Sequence, residues 1–167
     1  MYTAFVILHV LSAGVWIGLG VVTVLTNNFR IRAAGTLGEL YLMRATLIFG
    51  AVMGNIGGIG ILITGSAIAG IQHLPWFAFS TVPWLAIKQL VFVIVLAMTF
   101  GIYVPRSKKI GRRIGEEMGG ANPGLGASPE LRTMFDRLVT ISLAIQMLVL
   151  LNIILGEWRP MLWVSNP

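Results

Sequence analysis

Four stretches of the chain are apolar almost without interruption, and its charges are gathered between them. The runs 3–26 and 45–70 hold no charged residue, 83–105 holds one, Lys88, and 137–156 holds none beyond Arg137 at its edge. A helix of about 20 apolar residues crosses a hydrocarbon core of about 30 Å. The pattern therefore predicts an all-α integral membrane protein, a bundle of four transmembrane helices forming a single membrane domain over 1–167.

The connections predict its orientation. Arg30, Arg32, Glu39 and Arg44 lie between the first two runs. Arg106, Lys108, Lys109, Arg112, Arg113, Arg132 and Arg137 lie between the last two, interspersed with Glu116, Glu117, Glu130 and Asp136. The middle connection, IQHLPWFAFSTVP, has no Lys or Arg. Cytoplasmic loops collect basic residues, so both termini are expected outside and the first and third connections inside, in the inner membrane of a bacterial cell. The third connection, 106–136, is expected to be a long basic loop. Its start suits anionic lipid, and its Gly- and Pro-rich remainder is expected to be mobile. Trp76, Phe77, Phe79 and Trp84 in one segment, and Trp158 and Trp163 in another, match aromatic belts at the headgroups.

Composition supports this. Of 167 residues 56% are hydrophobic and 11% charged, against about 25% charged in soluble domains. The net charge of +6 follows from basic cytoplasmic segments, so nucleic acid is not an expected partner. Cysteine is absent, which removes disulfides, thiolate metal sites and cysteine nucleophiles. The N-terminal stretch has no basic n-region, and the first helix is expected to be retained.

Within the spans, Gly14 and Gly18, and Gly50, Gly54 and Gly58, stand at the spacing that lets helix backbones approach closely. Asn55, Gln89, Gln146 and Asn152 read as hydrogen-bonding links between helices. His9 and Lys88 are the costlier residues. They belong to different spans yet share a depth, roughly 8–10 Å from the outer boundary at 1.5 Å per residue. For Lys88 the choice is between snorkelling and function. For His9 it is between an interhelical hydrogen bond and an axial iron ligand, because an imidazole in an apolar four-helix bundle suits haem. His73 falls in the outer loop, where it is either solvated or the cap of an outer-side site.

The stretch LHVLSAGVWIG, with His9 seven residues before Trp16, resembles the first helix of the HemJ-type protoporphyrinogen oxidases and the related CopD-like membrane proteins. PWLAIKQL, with Trp84, Leu85 and Lys88 in register, is similar to their third helix, and Arg159-Pro160 to the basic-Pro pair closing their last. The chain departs from the pattern at Ala86, Ile102, Tyr103 and Asp136-Arg137. The resemblance implies a haem b held by His9 as metal ligand, with Trp16, Trp84 and Lys88 around the cofactor. Lys88 would be the second functional residue, at the iron or the porphyrin carboxylates. It implies an oxidoreductase or electron-transfer role, with protoporphyrinogen IX oxidation as the activity. Within one chain a second histidine ligand is available only from His73. A single-histidine haem, one shared in a dimer, or none stay open beside it. Two other classes also stay open: a non-catalytic subunit of a larger respiratory or photosynthetic complex, and a copper-handling or small transport protein. The expected partners are membrane lipids, haem or porphyrin, and a homo-oligomer or larger membrane complex.

Overall fold

The computed structural model describes residues 1–77, 79, 83–120 and 126–157, and among them finds helices and turns but no strand. Helix α1 spans Tyr2–Arg32, α2 Leu37–Ile71 and α3 Pro83–Met98. A π-helical turn at Thr99–Tyr103 carries α3 directly into α4, Val104–Met118, and α5 spans Pro129–Glu157. Four rods are long and apolar enough to cross a membrane: Tyr2–Arg32, Leu37–Ile71, Pro83–Met118 and Pro129–Gly156. This is the fold of a multi-pass membrane protein. Large aliphatic side chains such as Ile7, Val21, Ile59, Val93 and Met147 cover its outer surface, where a bundle in water would carry charge.

The expected loop over 106–136 is corrected. Most of it is helix, ending at Met118 and resuming at Pro129. The reason is a stripe that a hydropathy window averages away. Ile110 and Ile114 stand four residues apart and are each 1% exposed, packed in one cluster with Leu40, Met43, Leu131 and Phe135. Lys108, Lys109, Arg112, Arg113 and Glu116 occupy the exposed face. The π turn lies just ahead of Pro105, which has no N–H to donate to the carbonyl four residues back and whose ring clashes with it. A widened turn absorbs that conflict without ending the rod. Residues 121–125 lie outside the described residues, as do Trp158, Trp163 and the Arg159-Pro160 pair.

A buried acid ties the basic end together. The Glu39 side chain is fully buried. Arg132 donates to it twice, from Nε to Oε1 and from Nη2 to Oε2, each at 2.8 Å. The backbone N–H of Gly35 donates to Oε2 at 2.9 Å and that of Ala127 at 3.3 Å, and Arg30 Nη1 stands 3.7 Å from Oε1. Arg30 also reaches Asp136 at 2.5 Å and Asn27 at 3.0 Å, with its guanidinium 5.3 Å from the Phe135 ring centre. One carboxylate thus joins the α1–α2 turn, where Gly35 takes a φ of +81°, to the start of α5. Nearby, Glu117 at the end of α4 accepts from the Ser128 N–H and hydroxyl, and Ser128 Oγ accepts from the Leu131 N–H, capping α5.

Close packing of α1 on α2 runs through glycine, on a face that only partly coincides with the spacing read from sequence. A Cβ at Gly57 would stand 3.0 Å from Trp16 Cβ and 3.1 Å from the Ser12 carbonyl oxygen, and one at Gly58 would stand 3.0 Å from the Trp16 ring. One at Gly60 would collide with the Ser12 hydroxyl. Gly14 has nothing within 4 Å, and Gly54 only Leu19 at 3.8 Å. Around this pair the bundle is asymmetric. Helix α5 packs between α1 and α3, and α4 closes on α2 at the basic end, but α2 and α3 themselves scarcely touch.

Two contrasts test this arrangement in thermal melts of the purified protein. Glu39→Gln keeps the shape but removes the charge facing Arg30 and Arg132, and should cost about 3 kcal/mol, the scale of a broken buried pair. Glu116→Gln, at an exposed pair with Arg112 3.6 Å away, should cost less than about 1 kcal/mol. Gly57→Ala should lower the melting temperature by forcing α1 from α2, whereas Gly14→Ala should leave it unchanged.

Candidate functional site

The gap between α2 and α3 holds a cavity of about 280 Å³ at the end of the bundle away from the Glu39 network. Each of the four long rods contributes to its wall. His9, Trp16, Trp84 and Lys88, singled out from two stretches of the sequence, all line it. His9 and Trp16 are seven residues apart on α1, and Trp84 and Lys88 four apart on α3, so each pair shares a helix face.

His9 is oriented by α2. Its Nδ1 lies 2.8 Å from Thr64 Oγ1, and the Thr64 hydroxyl stands 2.5 Å from the Gly60 carbonyl oxygen. A hydroxyl has one proton. The carbonyl can only accept: with that proton on Gly60, His9 Nδ1 donates to Thr64 and Nε2 keeps its lone pair, whereas in the other tautomer the hydroxyl donates to Nδ1. A ring nitrogen whose other nitrogen is held this way is the usual form of a metal-binding histidine. Gly65 makes room for the ring, since a Cβ there would stand 3.2 Å from His9 Cε1.

Lys88 reaches α5, where a Cβ at Gly156 would come to 2.5 Å from its Nζ, so glycine is what admits the ammonium there. Asn152, one turn earlier on α5, borders the cavity, and its buried Oδ1 has no hydrogen-bond partner among the described residues.

Local hydrogen bonds set the rim. Gln72 Nε2 donates to the Tyr2 hydroxyl at 2.6 Å, joining the end of α2 to the start of α1. Gln89 Oε1 accepts from the Phe77 N–H at 2.6 Å, holding the α2–α3 connection over α3. Gln89 is thus a loop anchor rather than an interhelical link. Trp76, Phe77 and Phe79 in that connection are exposed.

His73 does not join His9. It adopts a φ of 53° just past the end of α2, its N–H donating to the Gly70 carbonyl and that of Leu74 to Ala69. This is a left-handed helix C-cap, outside the cavity wall. Among the described residues no group of three or more His, Asp or Glu side chains is placed to hold a metal ion. Among the described methionines, Met43, Met118 and Met134 pack in or against the hydrophobic cluster at the basic end, Met53 and Met98 against the other cluster, and Met147 is 66% exposed. Asn55 does not link helices within the chain, because its side chain is exposed.

Sequence reasoning found the histidine and the lysine through their cost in a membrane. It missed Thr64, Gly60, Gly65 and Gly156, because one threonine or glycine in an apolar helix carries no signal until its neighbour is known. Searches against protein-family models, curated proteins and solved structures return no match for this chain.

The choice between the two tautomers has a direct check. In ¹⁵N spectra of histidine-labelled protein at neutral pH, His9 should show a protonated Nδ1 and a bare Nε2. Thr64→Val, which keeps the shape and removes the hydroxyl, should mix the two tautomers while leaving the His73 signals unchanged.

Proposed function

We propose that this protein binds haem b in the α2–α3 cavity and serves in membrane electron transfer, with both termini and the cavity on the outer side of a bacterial inner membrane. The observation that carries the reading is an imidazole held through Nδ1 by Thr64 on the wall of an apolar cavity shared with a lysine. The orientation rests on the basic residues collected at the opposite end.

The residues fit the group in kind. One imidazole is enough to hold a haem b, and His9 offers one whose Nδ1 is held by Thr64. Lys88 would oppose a propionate, and Trp16 and Trp84 would pack the ring. The His9–His73 pair is set aside, because His73 serves as a helix cap on the surface. The cavity is slightly below the roughly 300–1,000 Å³ of ligand pockets, so a macrocycle would extend into the seam that α2 and α3 leave open. Bound haem supplies a one-electron iron couple. The protein supplies the ligand, its orientation through Thr64, a cation for a carboxylate, and walls that exclude water. Protoporphyrinogen carries the same carboxylates on a methylene-bridged, non-planar ring, so Lys88 would suit it as well, and its oxidation through the haem would pass the electrons on to a quinone or respiratory acceptor.

The test is optical. Purified protein supplemented with haemin should develop a Soret band that sharpens and shifts on reduction. His9→Ala should abolish or move it, and Lys88→Met should weaken haemin affinity about tenfold, the scale of one charge-assisted contact. A folded, supplemented sample that stays colourless would end the proposal.

A further inference from the structure

The stretch of α2 from 45 to 71 carries no charge, and in it Asn55 is the one polar side chain that is exposed. Thr46 and Thr64 are buried and hydrogen-bonded, and Ser66 is half-buried on the cavity wall. Asn55 stands near the middle of the stretch, and no hydrogen bond to it is formed within the described residues. Lipid tails offer neither donors nor acceptors, and at mid-span the side chain is too short to reach the headgroups. The amide is therefore aimed at something that is not lipid.

From this we infer that the exposed face of α2 is a homodimer interface centred on Asn55, occupied by the same face of a second copy. A carboxamide carries both a donor and an acceptor. Two of them related by a two-fold axis satisfy each other with no third group, as an isologous contact requires. A lone interhelical amide is among the interactions that hold membrane helices together. The face suits the contact. Ala51, one turn from Asn55, is exposed and small enough to admit a neighbouring backbone, while Ile48 and Ile59 continue the same side as exposed aliphatic surface. Across the molecule α1 lies on the opposite, glycine-lined side of α2, so a second copy on the Asn55 face would leave that packing intact.

The chain has no cysteine, which makes cross-linking clean. Single variants Asn55→Cys, Ala51→Cys and Met147→Cys are expressed in full-length protein and oxidised in the membrane. Asn55→Cys and Ala51→Cys should form a disulfide-linked band of twice the chain mass. Met147→Cys, exposed on α5 and away from the Asn55 face of α2, should not. In lipid nanodiscs or by fluorescence transfer between labelled copies, Asn55→Leu should weaken dimerisation roughly three- to tenfold, while Asn55→Gln should keep it. The inference is overturned if Asn55→Cys stays monomeric, if it links instead to a protein of different mass, if Met147→Cys links equally well, or if Asn55→Leu dimerises like the parent protein with an unchanged melting temperature.

Discussion

The fold turns on the Glu39 carboxylate. It is the fully buried acid of the bundle, and a buried carboxylate is tolerable only when each of its lone pairs is met. Meeting them draws in Arg132 from α5, Arg30 from α1, and the backbone of Gly35 and Ala127. Two helix ends and a turn are thereby held at one point. The Ile110 and Ile114 stripe packs beside it in the hydrophobic cluster of the basic end.

The other end differs. Helix α4 packs onto α2, whereas the α3 portion of the same rod, ahead of the π turn, packs on α5. Tyr103 stands at the changeover. It packs against the clusters of both halves, and its hydroxyl would meet a Cβ on Gly50 at 2.5 Å. Beyond it α2 and α3 part, and the space between them is the cavity. The polar residues that this space needs are each supported from another helix: His9 by Thr64, Lys88 by the glycine turn of α5, Gln89 by the connection it anchors.

Much of this was legible in the chain. The uncharged runs define the rods because a hydrocarbon core tolerates little else. His9 and Lys88 stood out for their cost, and their shared depth follows from counting along regular helices. The amphipathic helix α4 and the early start of α5 were hidden, because charge on the solvated face outweighs isolated isoleucines in any hydropathy average. The packing face of α2 was half-hidden for a different reason. Gly50, Gly54 and Gly58 share a spacing with one another, but Trp16 and Ser12 choose Gly57, Gly58 and Gly60.

The sequence by itself determined that the chain is a membrane bundle, which segments cross, and which two ionisable side chains are out of place in lipid, since these depend on the transfer of each residue from water. Only the tertiary structure decided that Glu39, Arg30 and Arg132 form one buried network rather than scattered loop charges. It also decided that His73 caps a helix while His9 faces a cavity, and that Asn55 points away from its own bundle. Those outcomes depend on which faces of neighbouring helices meet. Helix rotation sets that, and it is settled by packing and by hydrogen bonds between residues far apart in the chain.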